Sequence, residues 1–325
     1  MKAIQFKEYG ESDTLQIIEM DKQKPLEKEI LIRVEAIGIN FADILRRRGA
    51  YLQPTPLPFI PGYEVAGVVE EVGSSSSYQQ GDRVVALLLD GGAYSEYVTV
   101  REEFVTPIPD EITFEEAAAT PLQGLTVYFM LKEMARIRDG ETVLVHAAAG
   151  GVGTIAVQLA KLLGAGKVIA TASTLEKLEL ARGLGADVLI NYTEENWEDS
   201  VRDATDGKGA DIILEMVGHD IFYQSLKCLA PFGRIIVFGR ASRKETLFDP
   251  RKLMNRNQTV SGFFLGDWKD YQANSKAIRL LFDYIKAEQL KISIGGVYPL
   301  HEVGKVHDLI ENRKTHGKII LKPSF

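Results

Sequence analysis

An apolar run, TVLVH at 142–146, passes directly into AAAGGVG and then into a helical period, TIAVQLAKLLG, with no loop between them. A strand that turns this sharply into a helix commits the chain to a crossover, because the helix must lie back over the sheet it has just left. The texture repeats downstream, where KVIAT, ADVLI, ADIILEM and GRIIVFG are β-rich apolar runs separated by helical periods. Strands that are apolar on both faces and alternate with helices build a parallel sheet covered on both sides. Residues 124–266 therefore read as a doubly wound α/β domain.

The turn itself carries chemistry. Ala148, Gly150 and Gly153 fill the three positions of a G-x-G-x-x-G turn, with alanine replacing the first glycine. Strand, turn and helix in this order form the Rossmann fingerprint, in which backbone N–H groups at Gly150, Gly151, Val152 and Gly153 and the positive helix end receive a pyrophosphate. The plainer alternative is a tight turn whose glycines serve packing alone. About 20 residues further on, NAD-binding chains place Asp or Glu on the ribose hydroxyls. Here the strand KVIATAS contains Thr171 and ends at Ser173 with no acid, and Thr174 and Lys177 follow it. Hydroxyls and a cation hold a ribose 2′-phosphate that a carboxylate would repel. The expected cofactor is NADPH, although Lys177 on its own is equally an exposed helix charge.

The flanks differ. Residues 1–123 consist largely of short alternating strands, such as EILIRVEAIGI, EVAGVVEEVG and DRVVALL, separated by Gly, Pro and Ser turns. They read as a mostly antiparallel barrel or sandwich, followed by a helical stretch, EEAAATPLQGLTVYFMLKEM. Residues 267–325 contain an amphipathic helix, AIRLLFDYIKAEQL, a strand at Gly296 to Leu300, a helix from His301 and a last strand, GKIILKP. This segment is expected to complete the first domain, with a cleft between it and the inserted nucleotide domain.

Composition removes several classes of function. A net charge of -7 and a pI near 5.4, with no basic tail, argue against nucleic acid as a partner. Arg46, Arg47 and Arg48 point in three directions on a helix and read as solvated surface. No apolar stretch reaches the ~18 residues of a membrane span, and MKAIQFKEYGESD lacks the apolar core of a signal peptide. Cys228 is the only cysteine, so no internal disulfide or four-cysteine zinc site can form, and a reducing, cytoplasmic setting is expected.

NFADILRRRGAY, PFIPGYEVAGVVEEVG, GDRVVA, GGAYSEYV, HAAAGGVGTIAVQLAK, LGAD with INY, and HGKIIL appear in order along nearly the whole chain. In these motifs it resembles the zinc-free quinone oxidoreductase branch of the medium-chain dehydrogenase/reductase superfamily, which includes zeta-crystallin-like proteins. The resemblance implies a GroES-like, mostly-β catalytic domain beside the Rossmann domain. Zinc-dependent members carry a cysteine three residues before an aspartate, a histidine in Gly-His-Glu and a later cysteine. Here Asn40 precedes Asp43, Tyr63 stands between Gly62 and Glu64, and 120–131 contains no Cys, His or carboxylate. No metal is expected, and His301, His307 and His316 read as surface or capping residues.

Without a Lewis acid to stabilise an alkoxide, alcohol oxidation is disfavoured, whereas a quinone or enone spreads incoming charge onto a conjugated oxygen. By resemblance, Tyr51 is the proton donor and Asn40 orients nicotinamide or substrate. Asp43 reads first as a helix cap and Glu64 as a remnant of an outer coordination shell. Thr126 and Tyr192 are implied as cofactor contacts, with Phe238, Gly239, Phe264 and Leu265 lining the nicotinamide side. VSGFFLG is the candidate edge for a homodimer. The leading expectation is an NADPH-dependent quinone reductase. The alternatives are double-bond reduction of an enal, enone or enoyl thioester, and a non-catalytic NADPH-binding or structural protein.

Overall fold

In the computed structural model, which describes residues 1–324, the chain divides into two compact units. The first comprises Met1–Leu125, Trp268–Glu288 and the chain from Ile292 onward, and the second comprises Thr126–Asp267 with Gln289–Lys291.

The first unit contains strands β1 (Lys2–Gln5), β2 (Gln16–Glu19), β3 (Glu29–Gly38), β4 (Glu64–Val72), β5 (Arg83–Leu87), β6 (Tyr97–Arg101) and β7 (Val105–Pro107). Helix α1 (Phe41–Arg47) follows β3 directly. The helical stretch expected after residue 114 is two helices, α2 (Phe114–Ala118) and α3 (Pro121–Phe129), the latter running into a wider π-type turn at Met130–Met134. The break falls at Thr120, because the residue before a proline is pushed out of the helical region and Pro121 can begin a helix but not continue one. Thr113 and Glu116 form the reciprocal cap that starts α2, with Glu116 N donating to Thr113 Oγ1 at 3.2 Å and Thr113 N to Glu116 Oε2 at 2.9 Å.

The second unit contains β8 (Thr142–Val145), α4 (Gly151–Leu162), β9 (Lys167–Ala172), α5 (Leu175–Gly183), β10 (Val188–Asn191), α6 (Trp197–Asp203), β11 (Ala210–Glu215), α7 (Asp220–Lys227), β12 (Leu229–Val237) and β13 (Thr259–Gly262). Its strands form one parallel sheet in the order β10-β9-β8-β11-β12-β13. Successive strands move outward in opposite directions from β8 and β11, so the order reverses between these two. That reversal opens a crevice beyond their carboxyl ends, where such sheets bind ligands.

The return segment supplies α8 (Tyr271–Lys286), β14 (Ile294–Pro299), α9 (Val303–Glu311) and β15 (Lys318–Lys322). Its last strand pairs parallel to β14 and antiparallel to β3, giving a seven-stranded sheet ordered β14-β15-β3-β4-β5-β7, with β6 also on β3. Ile30, Ile32, Ile37, Val65, Val69, Val84, Leu300 and Val306 fill its core. Two registers fix the site. Ile320 lies opposite Gly38 and Ile37 opposite Val65. Extending each antiparallel register by one or two residues brings Lys318, Asn40 and Glu64 together where β15, β3 and β4 end.

Candidate functional site

Asn40, Glu64 and Lys318 form a buried node in the first unit, with residue exposures of 4%, 0% and 2%. Lys318 Nζ is ion-paired to Glu64 Oε1 and donates to Asn40 Oδ1 at 2.7 Å. Asn40 Nδ2 donates to Glu64 Oε1 at 2.8 Å, and Gln123 Nε2 donates to Asn40 Oδ1 at 3.3 Å. The other carboxylate oxygen of Glu64 accepts from Leu122 N at 2.7 Å. Gly38 makes the approach possible, since a Cβ there would lie 2.6 Å from Glu64 Oε1 and 2.3 Å from Ala118 O. Burial draws the Lys318 ammonium below its usual range against the pull of Glu64. Glu64 is thus the counter-ion of a buried lysine on the last strand.

Asn40 also opens α1, and its side chain is committed to the node rather than left free for a ligand. Asp43 performs the capping role read from sequence, accepting from Asn40 N at 2.8 Å and from Gly62 N at 2.9 Å. Burial raises its pKa to about 7 against these two donors and Lys318. The Tyr94 hydroxyl lies 3.1 Å from His307 Nε2. The expectation that His307 sits at the surface is overturned: it is fully buried, and desolvation lowers its pKa to about 3. The amphipathic face of α9 turns it into the core.

The three arginines also depart from expectation. Arg46 and Arg47 are 4% and 0% exposed. Arg46 Nε donates to Tyr63 Oη at 2.6 Å, and its guanidinium lies 4.4 Å from the Tyr51 ring centroid. Arg47 donates to Gly10 O at 2.8 Å and pairs with Glu311, while Arg48 pairs with Glu311 and Glu11. Arg47 and Arg48 are thus ion-paired within the unit, whereas Arg46 is held by neutral acceptors and ring faces. Tyr51, half-buried beside Tyr63, keeps its proton above the ordinary tyrosine range because burial disfavours the phenolate.

In the second unit, Gly150 caps α4 and Gly151, Val152 and Gly153 form its first turn. First-turn N–H groups have no carbonyl partner within the helix. Gly153 is required by packing, since a Cβ there would lie 2.3 Å from Ala147 O. Thr171 does not face a ligand: it is fully buried, and its Oγ1 lies 2.8 Å from His146 Nδ1. His146 Nε2 lies 2.8 Å from Ser225 Oγ, which donates to Ile221 O at 2.7 Å. Ser225 therefore accepts from Nε2–H, and Thr171 donates to Nδ1. Burial lowers the His146 pKa to about 3, so the ring is neutral.

Ser173 and Thr174 follow β9, with Thr174 capping α5 and Lys177 in its first turn. Tyr192 follows β10 and packs partly on the Trp197 and Val201 cluster. Phe238 and Gly239 follow β12, at the carboxyl edge of the sheet. Phe264 and buried Leu265 follow β13, which forms one edge of that sheet. Thr126, also buried, is on α3. Glu215, missed in the sequence because its run reads only as a strand, ends β11 fully buried. Its Oε1 accepts from Val217 N and Gly218 N at 2.8 and 2.9 Å, its Oε2 has no partner, and burial raises its pKa.

Among the described residues, no three His, Cys, Asp or Glu side chains converge in a way that could hold a metal ion. No helix among them is long and apolar enough to cross a membrane.

Two family models match the chain: "Alcohol dehydrogenase GroES-like domain" over residues 26–110 and "Zinc-binding dehydrogenase" over residues 151–281. The quinone oxidoreductase of Pseudomonas aeruginosa is 39% identical over 99% of both chains. A 2-haloacrylate reductase from a Burkholderia species is 36% identical over 91% of each. The crystal structure of the Escherichia coli quinone oxidoreductase complexed with NADPH superposes with a TM-score of 0.94 at 36% identity, covering 99% of this chain and 100% of that one. The α/β architecture, pairing a GroES-like domain with a Rossmann domain, is the one expected from the motifs, and the chain belongs to the quinone oxidoreductase family of the medium-chain dehydrogenase/reductase superfamily.

Proposed function

We propose that the protein is an NADPH-dependent quinone reductase that works without zinc. The observation that carries this reading is how the side chains at the former ligand positions are used. Asn40 is bound to Lys318 and Glu64, and Tyr63 accepts from Arg46, so neither is available as a metal ligand.

The second unit fits NADPH. The first turn of α4 presents N–H groups to a pyrophosphate, and Ser173, Thr174 and Lys177 suit a 2′-phosphate, with no acid at the end of β9. NADPH, when bound, supplies the hydride. Tyr51, kept protonated by burial, donates the proton that neutralises the oxygen of the reduced substrate. The Asn40–Glu64–Lys318 node fixes the start of α1, and through it the segment that carries Tyr51. We infer a cytoplasmic homodimer that pairs through the β13 edge, a reading supported by the edge position of that strand in its sheet.

Reduction of an activated carbon–carbon double bond is a second reading, favoured by the 36% identity to a 2-haloacrylate reductase. It uses the same cofactor and the same proton donor.

Purified protein is mixed with NADPH or NADH and with a quinone or an activated alkene, with and without chelator. Chelator-insensitive NADPH oxidation by the quinone, falling roughly 100-fold in Tyr51→Phe, is expected for a lost general acid. Preference for the alkene moves the assignment to double-bond reduction. Tight NADPH binding with no turnover of either substrate overturns the catalytic reading in favour of a binding protein.

A further inference from the structure

In the first unit, a cavity of about 390 Å³ opens between the start of α8, the turn joining β6 to β7 and the loop after β4. Its wall includes Lys28, Tyr78, Arg101, Tyr271, Ser275 and Arg279. Small-molecule sites commonly enclose about 300–1,000 Å³, so the space suits a small ligand. The glycine turn and the residues read as coenzyme contacts do not line it.

The charges on this wall divide into those already used and those left over. Arg101 is paired with Glu103 at 3.3 Å. Glu102 accepts from Ser77 N at 2.9 Å and from the hydroxyls of Ser77 and Ser76 at 3.1 and 3.3 Å. The side chains of Lys28 and Arg279 make no hydrogen bond or ion pair with any described residue. Two uncompensated cations therefore line one cavity in a protein whose formal charge is -7. An anion in that space is attracted by both.

A second observation comes from α8. Asn274 is 5% exposed and donates through Nδ2 to Trp268 O at 3.3 Å, but its Oδ1 is buried without a hydrogen-bond partner. It lines a gap of about 10 Å³ that shares Glu103, Tyr271 and Ser275 with the cavity. A buried acceptor without a donor is costly, and a hydroxyl on a bound molecule supplies one, directly or through a water.

We propose that this cavity binds a phosphorylated small polyol, with its phosphate on Lys28 and Arg279 and a hydroxyl directed to the Asn274 end. A guanidinium matches phosphate oxygens in pairs, and an ammonium holds them as a point charge. A phosphate ester carries a charge of about -1.5 to -2 at neutral pH and three acceptor oxygens, enough for both cations and for the hydroxyls of Tyr271 and Ser275. A monocarboxylate would leave one cation uncompensated. The site requires neither NADPH nor the reductase chemistry.

Glycerol 3-phosphate, glucose 6-phosphate and inorganic phosphate are titrated calorimetrically into the whole protein and into Lys28→Gln, Arg279→Gln, Asn274→Leu and Lys177→Gln. Lys28 and Arg279 are exposed, so their substitution should leave the urea midpoint unchanged. At least one ester is expected to bind, with Kd raised roughly 10-fold or more in Lys28→Gln and in Arg279→Gln, as for a lost charge-assisted hydrogen bond, and unchanged in Lys177→Gln. Asn274→Leu should weaken the ester and leave inorganic phosphate unaffected. Equal affinity for inorganic phosphate and both esters would overturn the polyol and leave free phosphate as the ligand. No binding by either ester, binding that survives both cation substitutions, or an equal loss in Lys177→Gln would overturn the site.

Discussion

Replacing Lys318 by methionine tests the buried node most directly. The change keeps the length and apolar stem of the side chain but removes the ammonium paired with Glu64 Oε1 and bonded to Asn40 Oδ1 at 2.7 Å. Glu64 would keep Asn40 Nδ2 at 2.8 Å and Leu122 N at 2.7 Å, but no positive charge, in a site with 0% exposure. Removing one partner of a buried pair costs about 3–5 kcal/mol, mainly because the other charge is stranded. The stranded carboxylate relieves this by binding a proton, so its folded-state pKa rises above its unfolded value. A carboxyl raised in this way binds more protons when folded, so its contribution to stability falls as pH rises between the two pKa values. The deficit of Lys318→Met should therefore be larger at pH 8 than at pH 5. Adding Glu64→Gln removes the stranded charge and should recover most of the loss. Trp268 belongs to the first unit and Trp197 to the second, so fluorescence in a Trp197→Phe background follows the first unit alone during urea unfolding. A loss below about 1 kcal/mol, a deficit independent of pH, or a double variant no better than the single would refute the reasoning.

Two further expectations concern the second unit and the buried histidines. Lys177→Glu should weaken NADPH binding roughly 10- to 100-fold and leave NADH nearly unchanged, as expected when a charge-assisted contact to the 2′-phosphate becomes a repulsion; equal loss for both coenzymes would contradict the 2′-phosphate assignment. His146 and His307 have pKa values lowered to about 3, so the unfolded chain binds more protons than the native one below about pH 6.5. Their effect is absent above that pH and costs about 2 kcal/mol each at pH 5, whereas Asp43, raised to about 7, partly opposes it by holding a proton that the unfolded state releases. Thermal unfolding between pH 7 and pH 5 should show stability falling with pH, and His307→Gln should flatten the slope; an unchanged slope would show that His307 is not the buried neutral ring described.

The Rossmann half was legible because its determinants are local. The β8 run, the glycines at 150 and 153 and the start of α4 lie within about two turns of chain, and backbone sterics alone dictate how such a segment folds. The Asp43 cap was equally readable, being a contact three residues long. The helix break at Thr120 was missed because apolar periodicity continued across a proline.

The catalytic half was read at the level of motif and misread at the level of side chain, for one physical reason. The partners that bury Arg47, His307 and Lys318 lie 264, 213 and 278 residues away in sequence. No window of sequence can show that a return strand brings an ammonium to Asn40, or that α9 delivers Glu311 to a pair of arginines. Charged residues read singly are assigned to solvent because isolated burial is costly, and only tertiary structure reveals the partner that makes burial tolerable. Sequence by itself determined the pairing of a GroES-like with a Rossmann domain and the glycine turn that opens α4. Tertiary structure alone decided that Glu64 has a lysine for a counter-ion, and that Arg46 and Tyr63 pack against the Tyr51 ring, because long-range β pairing and the fold of the loop after α1 create those contacts.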